Sequence, residues 1–596
     1  MSSKVPTNTE IAEILRSVAA SYQIENEGKN KFRIIAYNKA ADAVEHATSE
    51  LKDMWDEEKL AEVPGIGASI SEHLDELFTK GHSTHFDEVI GKYPKAIYEL
   101  MKVPGIGPKK AYKVVTAFSV SDKDPIEAVL KLAQVGKIRD LDSFGVESEA
   151  DIVQRITEYK AKPEERALLS TAYEIAQSVV AWMEGCKACE KIEPLGSLRR
   201  RASTVGDIDI AVATNDPEAV LTHFTQYPGS ARVIEKGDHS SSLLVPGNIQ
   251  VDLMVQPPQA FGALLQHFTG SKHHNIALRE LALKKGLSLS EYGIKKVGEE
   301  DDKKVPYKTE ESFYKALGLA WIPPELREDT EEIEAAKNGT LPNLVELSDV
   351  KGDLQMHSSY DIETSHDVGA SSMMELVEYA NSLHYEYIAV TEHNPSQKGH
   401  TAAQTTGILQ KKRAYVDELN YSIAKKKDFS VQKVFNSLEI DILPSGALPV
   451  SDEGMDTLDF ALVSIHSSFA QSKSDMTKRV LAALAHPKAQ IFAHPTARLL
   501  NKRESIELDW EKIFDSCVKN NKWVEINADP HRLDLPDMLV REAVKRGVKL
   551  TLGTDAHTKE SLSNMQYGVS VARRGWATKK DIINSYGVLE LTRMVQ

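Results

Sequence analysis

Three aspartates in strand-like surroundings carry the clearest chemistry in this chain. Asp207 and Asp209 lie two residues apart in VGDIDIAVA, and Asp252 lies in NIQVDLMVQ. Because successive side chains of a strand alternate between its faces, Asp207 and Asp209 should share one face. Neighbouring carboxylates repel each other unless hard divalent cations bind between them. We therefore predict that these three residues bind two Mg²⁺ or Mn²⁺ ions for in-line phosphoryl transfer.

A Gly-Ser pair followed by arginines precedes these aspartates, in the segment EPLGSLRRRAS. Gly196 and Ser197 could hold a phosphate on backbone amides and a hydroxyl, and Arg200 adds positive charge. This arrangement argues against aspartates that merely face solvent. It leaves open a nucleotidyltransferase that acts on small molecules and has the same core. The later segment FGALLQHFTGSKHHNIALRELA (261–282) separates the two alternatives.

The C-terminal half repeats one arrangement, an apolar run that ends at or contains a residue able to bind a metal. These residues are His393, Glu439, His466, His494, Glu525, Asp555 and His557. A single histidine beside a strand is more often a packed core residue, but the repetition points to a shared site. Barrel enzymes carry active groups at the carboxyl ends of parallel strands, so we expect these side chains to converge.

One short motif occurs twice near the start, as EVPGIGASI (62–70) and KVPGIGPKK (102–110). A tight turn before a helix exposes backbone N–H groups that can bind a phosphate oxygen without reading any base. One such turn could simply join two helices, but the repeat favours DNA contact. The predicted DNA-binding residues are Gly65, Gly67, Gly105, Gly107, Lys109 and Lys110.

Coarse patterning places these motifs on different elements. Residues 1–150 look helical, 160–320 mix helices with alternating strands, and strand-like runs alternate with helices from about 350 onwards. Prolines and an acidic run between 323 and 348 suit a linker, which could contain a short helix. A chain of 596 residues exceeds one hydrophobic core, so we expect several domains.

Composition adds only broad limits. The net charge of −16 argues weakly against nucleic acid, but acidic residues that bind metals contribute to it. Three cysteines and the lack of a long apolar run predict a cytoplasmic protein without structural disulfides.

The motifs GSLRR, GDIDI, VDLMV and HFTGSKHHN, in this order after two helix-hairpin-helix turns, resemble the family X DNA polymerases. The resemblance implies that Asp207, Asp209 and Asp252 bind the catalytic metals and that Asp252 accepts the primer hydroxyl proton. It also implies a nucleotide site formed by Gly196, Ser197, Arg200, Phe268, Thr269, Gly270, Asn275 and Arg279.

Four positions depart from that family. His267 stands where the family usually has Tyr, so discrimination against ribonucleotides should differ. Gln250 stands where animal relatives have Arg. His73 and Ser69 replace lysines of the N-terminal lyase site, and we expect weak or no removal of 5′-deoxyribose phosphate because imidazole does not form the required imine.

The stretches KGDLQMHSS, VTEHN, SLEIDIL, VSIHSS, FAHPTARLL and GTDAHT resemble the polymerase and histidinol phosphatase (PHP) domain. That resemblance implies a distorted (β/α)7 barrel with up to three Mn²⁺ or Zn²⁺ ions. The implied ligands are His357, Asp361, His393, Glu439, His466, His494, Asp555 and His557. Gln355 replaces a usual histidine and the motif around Asp361 is altered, so one metal site should be weakened.

The expected fold is therefore multidomain, with a helical region, an α/β nucleotidyltransferase palm with a thumb, and the PHP barrel. The predicted boundaries are 1–85 (helical DNA-binding domain), 86–160 (helix-hairpin-helix domain), 161–255 (palm), 256–325 (thumb), 326–349 (linker) and 350–596 (PHP domain).

The expected function is filling of short DNA gaps from dNTPs by a monomer, with 3′-to-5′ exonuclease activity that could extend to abasic sites. Two alternatives stay open, template-independent terminal transfer and a DNA-end binding protein with a non-catalytic PHP domain.

Overall fold

The computed structural model describes residues 8–45, 51, 55, 60, 66–103, 105–161, 166–299, 303–397 and 399–596. The chain forms two compact units, Met1–Glu164 and Glu165–Gln596. Among the described helices, none is long and apolar enough to cross a membrane.

The first unit is built from helices. They are α1 (Asn8–Glu45), α2 (Ala68–Lys80), α3 (Thr84–Ile90), α4 (Lys95–Leu100), α5 (Pro108–Ala117), α6 (Pro125–Gln134) and α7 (Val146–Ala161). Helix α1 is interrupted at Asn26, whose backbone is extended and whose side-chain oxygen accepts a hydrogen bond from the Lys29 amide (3.0 Å). Asn26 therefore caps the second half of α1. Separate apolar clusters around Leu74 and Val114 form the cores of this unit.

The second unit begins with a five-stranded mixed sheet. Its elements are β1 (Ala167–Leu168), α8 (Leu169–Met183), β2 (Lys191–Pro194), α9 (Gly196–Arg199), β3 (Thr204–Val205), β4 (Ile208–Ala213), α10 (Pro217–Phe224), β5 (Arg232–Lys236), β6 (Ser240–Val245) and β7 (Ile249–Gln256). The strand order is β2-β4-β7-β6-β5, and β1 pairs with β3 apart from this sheet. Strands β4 and β7 are parallel neighbours, and their register sets Asp209 opposite Asp252.

Helices and a hairpin follow this sheet. They are α11 (Phe261–Thr269), α12 (Lys272–Lys284), β8 (Leu287–Ser290), β9 (Gly293–Lys296), α13 (Glu310–Ala316) and α14 (Glu332–Asn338). Helix α14 lies within the segment 326–349 and buries Ala336 against the same apolar cluster as Phe313 and Leu344. This segment therefore packs onto its neighbours.

The remaining chain alternates parallel strands with helices. The strands are β10 (Gly352–Asp353), β11 (Tyr387–Val390), β12 (Lys433–Asn436), β13 (Glu439–Asp441), β14 (Ala461–Ser464), β15 (Ala489–Phe492), β16 (Trp523–Asn527) and β17 (Lys549–Gly553). The helices are α15 (Met373–Ser382), α16 (Ala402–Ala424), α17 (Asp452–Met455), α18 (Lys473–Leu484), α19 (Trp510–Asn520), α20 (Asp537–Arg546), α21 (Met565–Arg574) and α22 (Val588–Val595).

These parallel strands form two sheets, β10-β11-β12 and β13-β14-β15-β16-β17. Single parallel bridges, Met356 to Ala556 and His393 to Glu439, join the two sheets. Because all these strands run in the same direction, their carboxyl ends lie at one edge.

The mixed sheet and the parallel strands are packed together within the second unit. Trp576, which follows α21, is buried in the apolar cluster of Phe313 and Leu344. Leu344 also forms an antiparallel bridge with Thr578, and the Val345 amide donates to the Ala577 carbonyl (3.0 Å).

Candidate metal centres

The first candidate centre lies at the start of strands β4 and β7. Carboxylate oxygens of Asp207, Asp209 and Asp252 come within 4.8 Å of one another. Alternation in β4 buries Ile208 and leaves Asp209 partly exposed, so its carboxylate points to the face that Asp252 shares. A Cβ at Gly196 would lie 2.5 Å from Asp209 Oδ2, and Gly196 also has a positive φ of 57°. A side chain there would collide with the centre.

Burial and the two neighbouring carboxylates raise the pKa of Asp209. The pKa of Asp209 rises to about 7, because burial disfavours its charged form and because Asp207 and Asp252 repel it; Arg200 acts in the opposite direction. Bound divalent cations would remove this repulsion. The three carboxylates therefore fit a metal site.

The predicted nucleotide-binding residues lie beside this centre. Arg200 Nη1 donates to the Thr269 carbonyl (2.5 Å) and would lie 3.2 Å from a Cβ at Gly270. Ser197 lies in α9, the short helix directly after strand β2. Phe268 packs against the apolar cluster of Leu195.

Helices α11 and α12 bring the other predicted residues together. Asn275 Nδ2 donates to the His267 carbonyl (2.7 Å), and its oxygen accepts from Gln266 Nε2 (2.8 Å). Arg279 is exposed one helical turn later. Burial lowers the pKa of His267, and the charge of Arg279 lowers it further, so His267 stays neutral at pH 7.

The second candidate centre lies at the carboxyl edge of the parallel strands. The parallel strands β10–β17 and their helices, residues 352–595, form the C-terminal lobe. Among its described residues there are four overlapping groups of possible ligands: His357, His393 and His557; His366, His393 and His466; Glu439, His466 and His494; and His357, Glu439 and Asp555. Glu439 is central, because its two oxygens lie 2.7 Å from His494 Nε2 and 3.2 Å from His357 Nε2.

Ring nitrogens without well-formed hydrogen bonds show that this centre suits a metal. Both nitrogens of His357, Nδ1 of His393 and His494, and Nε2 of His557 are buried and make no well-formed hydrogen bond, although carboxylate oxygens lie 3.2 Å from His357 Nε2 and His557 Nε2. Buried polar atoms normally make hydrogen bonds, so a cluster of such nitrogens beside carboxylates fits a site that binds cations. His466 is instead oriented by Asp441, since its Nδ1 lies 2.6 Å from Oδ1 and its Nε2 faces Glu439.

One predicted ligand, Asp361, is not gathered with the others. Asp361 is in none of the ligand groups found among the described residues, because its carboxylate accepts a hydrogen bond from the Glu363 amide (2.9 Å) in a local turn. Asp367 is in none of these groups either, but its oxygens lie 3.2 Å from His557 Nε2 and 3.6 Å from His393 Nε2, so it is an alternative carboxylate for this position. Asp367 lies in a loop a few residues before helix α15, and neither it nor the adjacent His366, which is in one ligand group, was predicted from the sequence.

Gln355 occupies the position expected for a histidine. It is fully buried, its Nε2 donates to Glu439 Oε2 (2.9 Å), and its oxygen accepts from Asn527 Nδ2 (3.4 Å). Glu525 lies behind it, where burial raises the pKa of its carboxyl group well above the usual value. This side of the centre therefore carries fewer good ligands than the side lined by His366, His393 and His466.

The last glycine of each repeated motif lies directly before a helix. Gly67 and Gly107 precede α2 and α5, and a Cβ at either would meet no atom within 4 Å. Gly105 has a φ of 84°, and Lys109 pairs with Glu27 (2.5 Å). Lys110 is exposed, and Gly65 lies outside the described residues.

No lysine occupies the predicted lyase position. The ring of His73 stacks on that of His85, with centroids 4.2 Å apart. The nearby Lys80 pairs with Glu76 (3.0 Å).

Comparison with known proteins decides the family. The chain is 33% identical over 581 residues to the DNA polymerase/3′-5′ exonuclease PolX of Bacillus subtilis, covering 97% of each chain. The chain belongs to the family X DNA polymerases.

Further similarities fit this family X membership. Residues 6–83 match a helix-hairpin-helix domain, and residues 264–328 match the DNA polymerase beta thumb. DNA polymerase lambda of Rattus norvegicus is 26% identical over 350 residues, 54% of this chain and 56% of its own. A probable phosphatase of Thermoanaerobacter sp. strain X514 is 20% identical over 225 residues, 36% of this chain and 84% of its own.

Proposed function

We propose that this family X polymerase adds deoxynucleotides to primer 3′ ends at short gaps in DNA. One observation carries the proposal: Asp207, Asp209 and Asp252 converge beside the arginine at position 200. The repeated turns of the first unit would hold the DNA backbone. Mg²⁺ or Mn²⁺ suits the oxygen ligands of this centre.

The residues of the chain divide the reaction between them. Asp207 and Asp209 would hold the cations, which when bound lower the pKa of the attacking hydroxyl and neutralise the leaving phosphates. Asp252, which accepts hydrogen bonds from Gln250 Nε2 (2.9 and 3.0 Å), would accept the primer hydroxyl proton. Ser197 and Arg200 would bind the triphosphate, and the turn at Gly270 would lie against the incoming sugar.

For the C-terminal lobe we infer a distorted (β/α)7 barrel of the PHP type that shortens DNA from the 3′ end. The support is the edge of imidazoles and carboxylates around Glu439, which suits Mn²⁺ or Zn²⁺. Within this centre, His466 and Asp441 would fix the orientation of one ligand, and Asp367 would complete the set opposite Glu439.

One primer–template experiment tests both activities. Wild type, Asp207→Ala and His466→Ala would be incubated with Mn²⁺, with and without dNTPs. We expect extension to vanish only with Asp207→Ala and dNTP-free shortening to vanish only with His466→Ala. Loss of both activities in either variant would contradict two separate centres. Extension of a single-stranded primer as fast as a gapped one would favour terminal transfer instead.

A further inference from the structure

A charged relay connects the C-terminal lobe with the nucleotide-binding arginine. Glu328 Oε1 accepts from Arg200 Nε and from Arg574 Nη1, both at 2.9 Å. Arg574 Nη1 also donates to the backbone carbonyl of Arg200 (2.8 Å). A residue at the end of α21 therefore contacts Arg200 both directly and through Glu328.

The relay is shielded from water and anchored at its far end. The side chains of Arg200 and Arg574 are 14% and 9% exposed. Arg574 Nε donates to Asp537 Oδ2 (2.7 Å), which fixes the guanidinium on the C-terminal lobe. Burial alone would raise the pKa of Glu328, but Arg574 and Arg200 hold it below the usual value, so Glu328 stays charged. Charge-assisted bonds of this kind at a shielded site are stronger than exposed ion pairs.

These contacts occupy two of the three guanidinium nitrogens of Arg200. Glu328 binds Nε and the Thr269 carbonyl binds Nη1, whereas Nη2 makes no hydrogen bond within the described part of the chain. Arg200 directly follows the short helix α9, whose first residue Gly196 would bring a Cβ within 2.5 Å of Asp209 Oδ2, so Arg200 lies beside the carboxylate centre. A guanidinium held at two nitrogens has less conformational freedom to lose when a phosphate binds its remaining edge.

We propose that Glu328 and Arg574 are positioning residues of the polymerase reaction, which hold Arg200 ready for the triphosphate. The C-terminal lobe thereby supports nucleotide binding in the other half of the second unit. This role rests on the polymerase function proposed above, and it predicts a defect in KM for dNTP rather than in kcat.

The test is single-nucleotide gap filling by the full chain across a range of dNTP concentrations. For Arg574→Ala we expect the KM for dNTP to rise about 5- to 30-fold with kcat within about twofold of wild type. Arg574→Lys keeps one donor for Glu328 but loses the forked geometry of the guanidinium. Its KM for dNTP should therefore lie between those of wild type and Arg574→Ala. Glu328→Gln keeps an acceptor and should raise KM less than Glu328→Ala.

The neighbouring residue Arg573 provides a matched control. It pairs with Glu325 across the same packed surface (2.7 Å) but does not contact Glu328 or Arg200. Arg573→Ala should leave the KM for dNTP unchanged. An unchanged KM in Arg574→Ala, or an equal rise in both alanine variants, would overturn the relay. Absence of extension by wild type would instead contradict the polymerase function, and primer shortening by each variant checks that the lobe is folded.

Discussion

Asp209 has a pKa raised to about 7, and this makes the metal-free centre a source of instability. Because the pKa of Asp209 in the folded protein lies above the unfolded value of 3.8, ionisation of this group destabilises the folded state. The destabilisation grows as the pH rises above 3.8 and is fully present above about pH 7. Asp209→Asn should abolish extension. In metal-free protein it should also raise the opening free energy of β4 and β7 by roughly 1–3 kcal/mol, more at pH 8 than at pH 5.

Hydrogen exchange of the β4 and β7 amides measures this effect. Mg²⁺ should stabilise these strands in wild type at pH 8 but much less in the variant. Equal protection of wild type and Asp209→Asn at pH 8 without metal would refute the electrostatic explanation.

Gln355 gives a second test at the residue scale. Because its Nε2 lies 2.9 Å from Glu439, an imidazole at this position would add a ligand next to the shared carboxylate. Gln355→His should retain about one more equivalent of Mn²⁺ after dialysis and shorten primers several-fold faster. Elemental analysis measures the metal content. The control is Gln471→His, since Gln471 bonds Pro444 in an outer loop. Unchanged metal content in Gln355→His would show that this side is not a ligand position.

The sequence alone identified some of these residues and missed others. The period of two in β4 and β7 places Asp209 and Asp252 on one face, and the register brings them opposite each other. Asp367 was not considered because the first C-terminal motif departs from its usual spacing, which made Asp361 look like the carboxylate. Loop length leaves no periodic signal, so only the fold shows which acid reaches the imidazoles.

At the scale of elements, helix α11 must lie very close to the segment that precedes α13. A Cβ at Gly262 would lie 2.2 Å from the backbone carbonyl carbon of Thr309, and the Gly262 amide donates to Tyr307 (2.9 Å). Gly262→Ala should displace α11 together with Thr269 and lower gap filling by about 10-fold or more.

A helical glycine elsewhere provides the control. Gly407 lies within α16 with no atom within 4 Å of an added Cβ, so Gly407→Ala should keep both activities and stabilise the helix by about 1 kcal/mol. Primer shortening should survive in both variants. Normal extension by Gly262→Ala would show that the close packing of α11 does not position the nucleotide site.

The acidic segment 326–349 shows what composition alone leaves out. Its prolines and glutamates are typical of a linker, yet α14 buries Ala336 and the chain beyond it buries Leu344. Their apolar partner Trp576 lies more than two hundred residues away in the sequence. A local pattern cannot show such a partner. The ion pair of Glu328 and Arg574 could not be predicted from the sequence for the same reason, because its two residues are also far apart in the chain.

For the whole molecule, the shared apolar cluster predicts that the C-terminal lobe stabilises the rest of the second unit. Residues 165–349 produced alone would expose Leu344 and lose Trp576, so their free energy of unfolding should fall by roughly 3–5 kcal/mol or more. Urea denaturation followed by far-UV circular dichroism compares this fragment with residues 165–596. Residues 165–596 should unfold as they do in the full chain, because the first unit is separately compact. A fragment 165–349 as stable as its counterpart would contradict this dependence.

The bridge between Leu344 and Thr578 joins the segment that leads into the C-terminal lobe to the stretch after α21, late in that lobe. A protease that cuts a surface loop between these two positions would therefore release no fragment from the native protein, because the two pieces stay joined by this bridge and by the pairing of the parallel strands. Denaturing electrophoresis would show two pieces, whereas the size of the native protein would stay unchanged.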